Sequence, residues 1–349
     1  MADVDAASAL LDQVNEARAN ATPLKIQGGN SKAFLGREVA GEVLDTRAHC
    51  GIVRYEPTEL VVTARAGTPL SELLAALDAA GQMLPCEPPA FSEGATVGGM
   101  IATGLSGPRR PWSGSVRDFV LGTRVITGLG QHLRFGGEVM KNVAGYDLSR
   151  LMAGSYGCLG VLTEVSLKVL PKPRQCLSIR LDMECALALT KLAEWGQQPL
   201  PISAACHDGQ SLYLRLEGGE GSVTAAHQRL GGEPLDSGFW RDLNEQRLAF
   251  FNEGLPLWRL SLPNNLGPLD LPGEQLIDWA GAQRWLKSDV EHMHILAQEL
   301  GGHATCFTHG ANSSPFQPLA WTLLRYHRQL KAQLDPQGLF NPGRMYAEF

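Results

Sequence analysis

The spacing of apolar side chains predicts a change of architecture near the middle of the chain. Apolar residues recur at helical spacing over residues 4–19, and the Val- and Ile-rich runs over 51–55 and 60–65 predict strands. Residues 161–170 then alternate two sets of side chains, which predicts one long strand. The run Pro171-Lys172-Pro173 ends this strand, because proline has no backbone N–H to donate within a sheet.

A helix is predicted between the early strands and Gly81. Thr68 is the expected N-cap residue, Pro69 takes the first helical position, and Gly81 ends the helix. A hairpin is predicted over 121–135, because a glycine-rich turn separates two apolar runs. These elements indicate a first domain over residues 1–173.

The order of elements changes after Pro173. Strand, helix, strand, strand and helix are predicted over 177–230, a split β-α-β pattern that is typical of an antiparallel sheet with helices on one face. Two helices, over 290–300 and 318–334, are predicted near the end. We therefore predict an α+β protein with a second, smaller domain over 174–334 and a C-terminal tail over 335–349.

Composition and charge narrow the class of protein. Of the 349 residues, 44% are apolar and 19% charged, which is typical of a globular protein with well-formed cores. The net charge of −6 argues against nucleic acid as a partner. No apolar run is long enough to predict a transmembrane segment. Seven cysteines without a Cys-x-x-Cys pair favour free thiols in the reducing cytoplasm, and no metal site is predicted.

Several glycine-rich segments carry the candidate chemistry. Gly28-Gly29-Asn30-Ser31 follows a short strand, and adjacent glycines let backbone N–H groups converge on a phosphate. Gly94-Ala95-Thr96-Val97-Gly98-Gly99 opens a helix that Thr96 is expected to cap, and small residues continue to Gly104. Taken alone, the first segment also fits a surface turn and the second a close helix–sheet contact. Neither segment is the Gly-x-Gly-x-x-Gly or P-loop fingerprint.

In this order and spacing, these segments, the run 114–118 and the turn 154–160 resemble the FAD-binding domain of the vanillyl-alcohol-oxidase type, also called PCMH-type. The resemblance covers roughly residues 20–173 and implies two α/β subdomains followed by the smaller α+β cap. It implies FAD contacts at Gly28, Gly29, Asn30, Ser31, Gly94, Ala95, Thr96, Val97, Gly98, Gly99, Gly104, Gly114, Ser115, Gly160 and Val161. The first loop has no His or Cys for covalent attachment, so we expect FAD to be non-covalent.

The segments 30–37, 141–150 and 334–344 narrow the resemblance to the FAD-binding E subunits of bacterial glycolate oxidases. Such a subunit works with a second flavin subunit and an iron–sulfur subunit. The complex oxidises glycolate to glyoxylate and passes electrons to the respiratory chain. The resemblance thus implies a 2-hydroxy acid substrate and a cytoplasmic protein, peripheral at the inner membrane through its partner subunits.

The catalytic residues are less legible than the cofactor residues. Oxidation of a 2-hydroxy acid needs a base for the hydroxyl proton and a cation for the carboxylate. Arg344 is the expected cation, because relatives bring this tail back towards the cofactor, and His303 and His309 are the candidate bases. The histidine-rich run of larger 2-hydroxy-acid dehydrogenases is missing from this sequence. Two functions therefore stay open, namely oxidation by this chain itself, or electron transfer or assembly with the chemistry on a sister flavin subunit.

Overall fold

A computed structural model of the protein describes residues 3–137, 147–236, 238–252 and 254–349. The chain divides into two compact units. The first comprises Met1–Ser106, Gly114–Pro171 and Leu319–Phe349, and the second comprises Gly107–Ser113 and Lys172–Pro318. The sequence predicts a domain boundary at residue 173 and a second domain that extends to residue 334. The structure instead groups 107–113 with the second unit and 319–334 with the first.

Regular elements fill the first half of the chain in short alternating segments. In chain order they are α1 (Ala7–Asn20), β1 (Leu24–Gln27), β2 (Glu42–Asp45), β3 (Ile52–Glu56), β4 (Val61–Arg65), α2 (Leu70–Ala79), β5 (Gln82–Met83), α3 (Val97–Thr103), α4 (Arg110–Ser113), α5 (Val116–Phe119), β6 (Val120–Ile126), β7 (His132–Gly136), α6 (Leu148–Leu151), β8 (Val161–Lys168) and β9 (Leu170–Pro171). All of these except α4 belong to the first unit.

Three sheets lie in the described part of the first unit, the smallest being the antiparallel pair of β5 and β9. Strands β1 and β2 pair in parallel, and β3-β4-β8-β6-β7 form an antiparallel sheet. The β8 side chains at 165 and 167 pack with residues of α2 and α3 in one apolar core, so α3 is held against the larger sheet. Val14 of α1 and Leu24 of β1 belong to a second core that also contains Phe340 of the tail.

The second unit is built on one antiparallel sheet. Its elements are β10 (Gln175–Asp182), α7 (Cys185–Trp195), β11 (Ile202–His207), β12 (Ser211–Gly218), α8 (Glu220–Leu230), β13 (Glu233–Leu235), α9 (Gly238–Asn244), β14 (Leu257–Ser261), β15 (Glu274–Asp278), β16 (Gln283–Lys287), α10 (Met293–Glu299) and β17 (His303–Cys306). The strand order is β13-β10-β12-β11-β15-β16-β14-β17. Helix α11 (Trp321–Leu334) returns the chain to the first unit.

The C-terminal tail is an integral part of the first unit. Leu24 N–H donates to the Leu339 carbonyl at 2.7 Å, and Asn341 N–H donates to the Leu24 carbonyl at 3.0 Å, so the tail runs parallel to the edge of β1. The buried Lys331 ammonium donates to the Cys158 and Phe340 carbonyls at 2.7 and 2.8 Å. These hydrogen bonds attach the tail to β1 and to the turn that contains Cys158.

The α+β fold class predicted from the sequence is confirmed. The predicted cap of α2 is wrong, because the Thr68 hydroxyl accepts from Gly51 N–H at 2.9 Å and Pro69 holds the N-cap position. Residues 141–146 of the predicted motif over 141–150 lie outside the described residues. Within the described residues, no helix combines the length and apolar character needed to cross a bilayer.

Candidate functional site

The first unit contains an open cleft of about 830 Å³, open solvent included. The cleft is lined by Lys25, Ile26, Gln27, Gly28, Gly29, Asn30, Ser31, Lys32, Ala33, Thr46, Ala66, Thr96, Gly98, Gly99, Ala102, Thr103, Tyr156, Gly157, Gly160, Leu162, Asn341 and Arg344. Segments far apart in the sequence therefore meet around one space.

The loop after β1 forms one wall. Asn30 has a φ of +57°, the left-handed conformation that occurs in backbone nests for anions. A Cβ on Gly29 would collide with the carbonyl oxygen of Gly94, and a Cβ on Gly28 would collide with the Thr96 hydroxyl. Glycine at 28 and 29 thus lets the two predicted loops touch through their backbones.

Helix α3 forms the facing wall. Its Thr96 cap accepts from Gly99 N–H at 3.2 Å, as the sequence predicted. Gly99, Ala102 and Thr103 are partly exposed and line the cleft, whereas Val97 on the same helix is buried in the core. A Cβ on Gly99 would meet only the Thr96 hydroxyl, at 3.3 Å, so this glycine opens the cleft rather than relieving a packing contact.

The turn over 154–160 closes one end of α3. Gly154 N–H and Tyr156 N–H donate to the Ile101 and Ala102 carbonyls at 3.0 and 2.8 Å. Tyr156 has a φ of +53°, which is uncommon for a residue with a large side chain. Its carbonyl accepts from the Asn341 side chain at 2.7 Å, and this bond ties the turn to the tail.

The tail supplies two residues that line the cleft. Asn341 Oδ1 accepts from Ile26 N–H at 2.8 Å, and Asn341 thereby joins β1 to the turn. The Arg344 guanidinium donates to the carbonyls of Arg37, Lys32 and Ala33 at 3.2 to 3.4 Å. Arg344 therefore also positions the segment that follows the Gly28–Ser31 loop.

The charges lining the cleft suit an anionic cofactor. Lys25, Lys32 and Arg344 line it, and no carboxylate is found among the described residues that do. Burial lowers the pKa of Arg344, a shift that a bound anion would oppose. Phosphate oxygens accept hydrogen bonds from such cations and from backbone N–H groups. The donor set and the glycine walls fit FAD.

Seven of the residues predicted to contact FAD do not line this cleft. Ala95, Val97 and Val161 are buried in apolar cores. Gly104 ends α3 with a φ of +63°. Gly114 and Ser115 precede α5, where Ser115 N–H and its hydroxyl donate to the Asp118 carboxylate at 2.8 Å each. Gly94 supports the Gly29 backbone.

One face of the sheet in the second unit carries His303, one of the two candidate bases. Arg259 pairs with Thr305, and Ser261 with His303, across β14 and β17. Alternate residues of a strand share a face, so these four side chains lie on the same side. The opposite side, which includes Trp258 and other apolar residues, packs against α10.

Two arginines influence His303 on this face. The Arg259 guanidinium lies 5.1 Å from the centre of the Phe307 ring, and that of Arg110 lies 4.4 Å from the Trp279 ring. His303 is exposed, but the protein around it removes part of the water from its ring. This desolvation lowers the pKa of His303, and the positive charges of Arg259 and Arg110 lower it further. A neutral imidazole in the field of two cations can accept a proton, and the cations can attract a carboxylate. His309 lies in the exposed loop after β17.

Sequence reasoning missed Asn341, Tyr156, Arg259 and Arg110. Asn341 was within reach, because it stands in the same Asn-Pro-Gly-Arg run as Arg344. The two arginines had no signal in the sequence, since only strand pairing and the placement of α4 bring them to His303. Among the described residues, no three His, Cys, Asp or Glu side chains converge in a way that could hold a metal.

Comparisons with known proteins agree with this geometry. Residues 3–136 match a family profile described as FAD binding domain. Glycolate oxidase subunit GlcE of Escherichia coli strain K12 is 64% identical over 348 residues, which are 99% of this chain and 99% of that protein. Glycolate oxidase subunit GlcD of Bacillus subtilis strain 168 is 36% identical over 122 residues, 35% of this chain and 26% of that protein.

A solved structure, the isoeugenol complex of 4-ethylphenol oxidase from Gulosibacter chungangensis, aligns with a TM-score of 0.70. The alignment covers 97% of this chain and 87% of that one at 15% identity, which shows the fold alone. Fold, cleft and family profile together define a protein with a PCMH-type FAD-binding domain. The identity over almost the entire length goes further, and the chain belongs to the glycolate oxidase subunit GlcE family. The FAD cofactor and the oxidoreductase class predicted from the sequence are thereby confirmed.

Proposed function

We propose that this chain is the FAD-binding subunit of a multi-subunit glycolate oxidase and that it oxidises glycolate to glyoxylate itself. The substrate is supported by the name of the relative that is 64% identical over 99% of the chain. The observation that carries the chemistry is the strand register that places His303 and Arg259 on one face of the sheet. The charges of Arg259 and Arg110 both lower the pKa of His303. Base and cations are the groups that a 2-hydroxy acid requires.

Oxidation of glycolate removes a proton from the hydroxyl and a hydride from the adjacent carbon. The electron acceptor for this hydride would be supplied by FAD held in the cleft. The neutral imidazole of His303 accepts the hydroxyl proton, because its lowered pKa keeps it unprotonated near pH 7. Arg259 and Arg110 hold the carboxylate through charge-assisted hydrogen bonds, and their aromatic neighbours limit the freedom of both guanidinium groups.

Arg344 has a different role in this proposal. Its three bonds to backbone carbonyls position the Gly28–Ser31 loop, and its charge attracts the FAD pyrophosphate. We propose non-covalent FAD held mainly by residues that line the cleft, namely Gly28, Gly29, Asn30, Ser31, Thr96, Gly98, Gly99 and Gly160. His309 has no part in the chemistry.

The assembly is the second component of the proposal. Names of relatives describe both GlcE and GlcD as glycolate oxidase subunits. We propose that a second flavin subunit and an iron–sulfur subunit accompany this chain, and that its electrons leave through the iron–sulfur subunit. The complex then works in the cytoplasm, with contact to the inner membrane made through the partner subunits.

A second candidate function is electron transfer or assembly without substrate oxidation on this chain. The missing histidine-rich run of larger 2-hydroxy-acid dehydrogenases favours it. In that case FAD is bound as proposed, but glycolate is oxidised on the sister flavin subunit.

Anaerobic mixing of the FAD-loaded chain with glycolate separates the two functions. We expect the flavin absorbance to bleach, His303→Gln to slow bleaching by about 10²–10⁴-fold, as for loss of a general base, and His309→Gln to leave it unchanged. A fully loaded protein that does not bleach refutes oxidation by this chain and leaves electron transfer. Native protein without any flavin refutes both.

A further inference from the structure

Helix α11 exposes an unusual set of side chains for a helix at the surface of the first unit. Trp321, Leu323 and Tyr326 are 72%, 52% and 49% exposed. Trp321 also lines a shallow groove with Leu324, Arg325, Arg328, Gln329 and Ala332. Clustered exposed apolar residues mark interaction surfaces more often than single ones do. Trp321, Arg325 and Arg328 recur at helical spacing on one side of α11, whereas Leu323 lies about 200° away from Trp321 around the helix. We call the side that carries Trp321, Arg325, Arg328 and Ala332 the α11 face.

The α11 face has the composition of a protein–protein hot spot. The Arg325 guanidinium lies 5.6 Å from the centre of the Trp321 ring and 5.2 Å from that of the Tyr326 ring, within cation–π distance of both. Trp, Tyr and Arg are the residues most enriched at the energetic centres of interfaces. These cation–π contacts restrict the rotamers of the two rings, which reduces the side-chain entropy lost on binding.

The charge of the face specifies its partner. No Asp or Glu occurs from Leu300 to Leu334, although the chain as a whole has a net charge of −6. Among the described residues, no carboxylate forms an ion pair with Arg325 or Arg328. The face is therefore a cationic patch with an apolar centre on an acidic protein, and it is complementary to carboxylates around an apolar centre.

Two other occupants fit less well. A second copy of this chain docked through the same face would bring the arginines of both copies together, since a twofold interface juxtaposes the same surface. An anionic membrane surface would attract the arginines, but stable anchoring needs a larger basic cluster or deeper apolar insertion than one 14-residue helix with two exposed arginines provides.

We propose that the α11 face docks an acidic, apolar-centred surface of a partner subunit. The helix is fixed for this role by its buried side, where Lys331 donates to Cys158, Phe340 and Asp335. The inference rests on the proposed multi-subunit assembly but not on glycolate oxidation by this chain. Its test is therefore binding rather than activity.

The probe is the purified sister flavin and iron–sulfur subunits, titrated with this FAD-loaded chain. We expect Trp321→Ala to weaken binding at least tenfold, as for a hot-spot residue. Arg325→Glu with Arg328→Glu should weaken it further and reduce its dependence on salt. The matched controls are Leu187→Ala, a 50% exposed leucine on α7, and Arg229→Glu, an exposed arginine on α8, and we expect both to bind as the unaltered chain does.

Flavin content and thermal unfolding of each variant confirm that the fold is intact. Complexes of unchanged affinity for both α11 variants overturn the proposal, and so does failure of the unaltered chain to bind the partner subunits. It is equally overturned if Trp321→Ala leaves the complex intact but abolishes self-association or binding to vesicles of phosphatidylcholine and phosphatidylglycerol.

Discussion

Two regions of the molecule differ in which part of the chain forms them. One is the cleft of the first unit, and the other is the sheet face of the second unit that carries Arg259 and His303. The cleft is made largely of backbone, in short segments where side chains are missing or small. The sheet face is made of long side chains, Arg259 and His303 from neighbouring strands and Arg110 from a distant helix. A backbone site needs glycine at particular positions, so it leaves a mark in the sequence. A side-chain site depends on strand pairing and leaves none.

The two regions also differ in what holds them. The tail that lines the cleft is anchored by the Lys331–Asp335 ion pair, whose side chains are 7% and 0% exposed. Asp335 also accepts from Leu339 and Phe340 N–H at 3.0 and 2.8 Å. On the sheet face, Arg259 and Arg110 are held by aromatic contacts. Removing one charged group should therefore lower the free energy of unfolding more at the tail that lines the cleft than on the sheet face.

The largest expected effect is that of Lys331→Met. The substitution leaves the Asp335 carboxylate buried without its cation and frees the Cys158 and Phe340 carbonyls. Removing one partner of a buried pair costs about 3–5 kcal/mol. Urea unfolding of the flavin-free protein should show this loss, and flavin should be released at lower urea than from the unaltered chain.

Lys191→Met is the matched control. Lys191 pairs with Glu194 at 2.7 Å on a helix of the second unit, but the two side chains are 37% and 50% exposed. Exposed pairs contribute about 1 kcal/mol or less. If both variants lose equal stability, the tail is not anchored by its buried pair, and the contrast between the two regions fails.

Adjacent glycines of α3 provide a finer test of the cleft. A Cβ on Gly98 would lie 2.8 Å from Ala66 Cβ, whereas one on Gly99 would point towards the cleft. Gly98→Ala should destabilise the protein by about 1–3 kcal/mol through overpacking. Gly99→Ala should raise the stability of the flavin-free protein by up to about 1 kcal/mol, the helix propensity difference, and weaken FAD binding about tenfold.

Flavin titration and thermal unfolding of the two variants measure both quantities. Each variant serves as the control for the other, since both introduce the same methyl group one residue apart. Unchanged FAD affinity in Gly99→Ala would show that the cofactor does not approach this part of α3.

These contrasts explain which predictions from the sequence were possible. The Gly28–Ser31 loop and the capped helix at Thr96 were legible because local chemistry determines them. Ala95 and Val97 share the same motif, yet they pack in the apolar core, and Gly94 lies against the Gly29 backbone. Only the direction of each side chain in the folded protein separates these residues from Thr96, Gly98 and Gly99, which line the cleft. Arg259 could not be found, because its position beside His303 follows from the register of β14 and β17, which no local pattern specifies.

The smallest expected effect is a pH shift on the sheet face. The pKa of His303 lies below its ordinary value of 6.5, because desolvation and two positive charges disfavour the imidazolium. A base is lost when it is protonated, so the acidic limb of kcat/KM for glycolate should lie below pH 6.5. Because the pKa of His303 is lower in the folded than in the unfolded chain, the unfolded chain binds this proton first as the pH falls below 6.5. His303 should therefore reduce the free energy of unfolding at acidic pH.

Arg259→Gln removes one of the two charges, so the acidic limb should move to higher pH. Desolvation is the largest cause of the shift and remains in the variant, so the His303 pKa should still lie below 6.5. Titration of the His303 ring by NMR in the flavin-free protein measures the same displacement without requiring activity, and Arg229→Gln is the control that should leave it unmoved. A ring pKa that does not rise in Arg259→Gln would mean that Arg259 does not act on His303. The proposal that this sheet face binds the substrate carboxylate would then be contradicted.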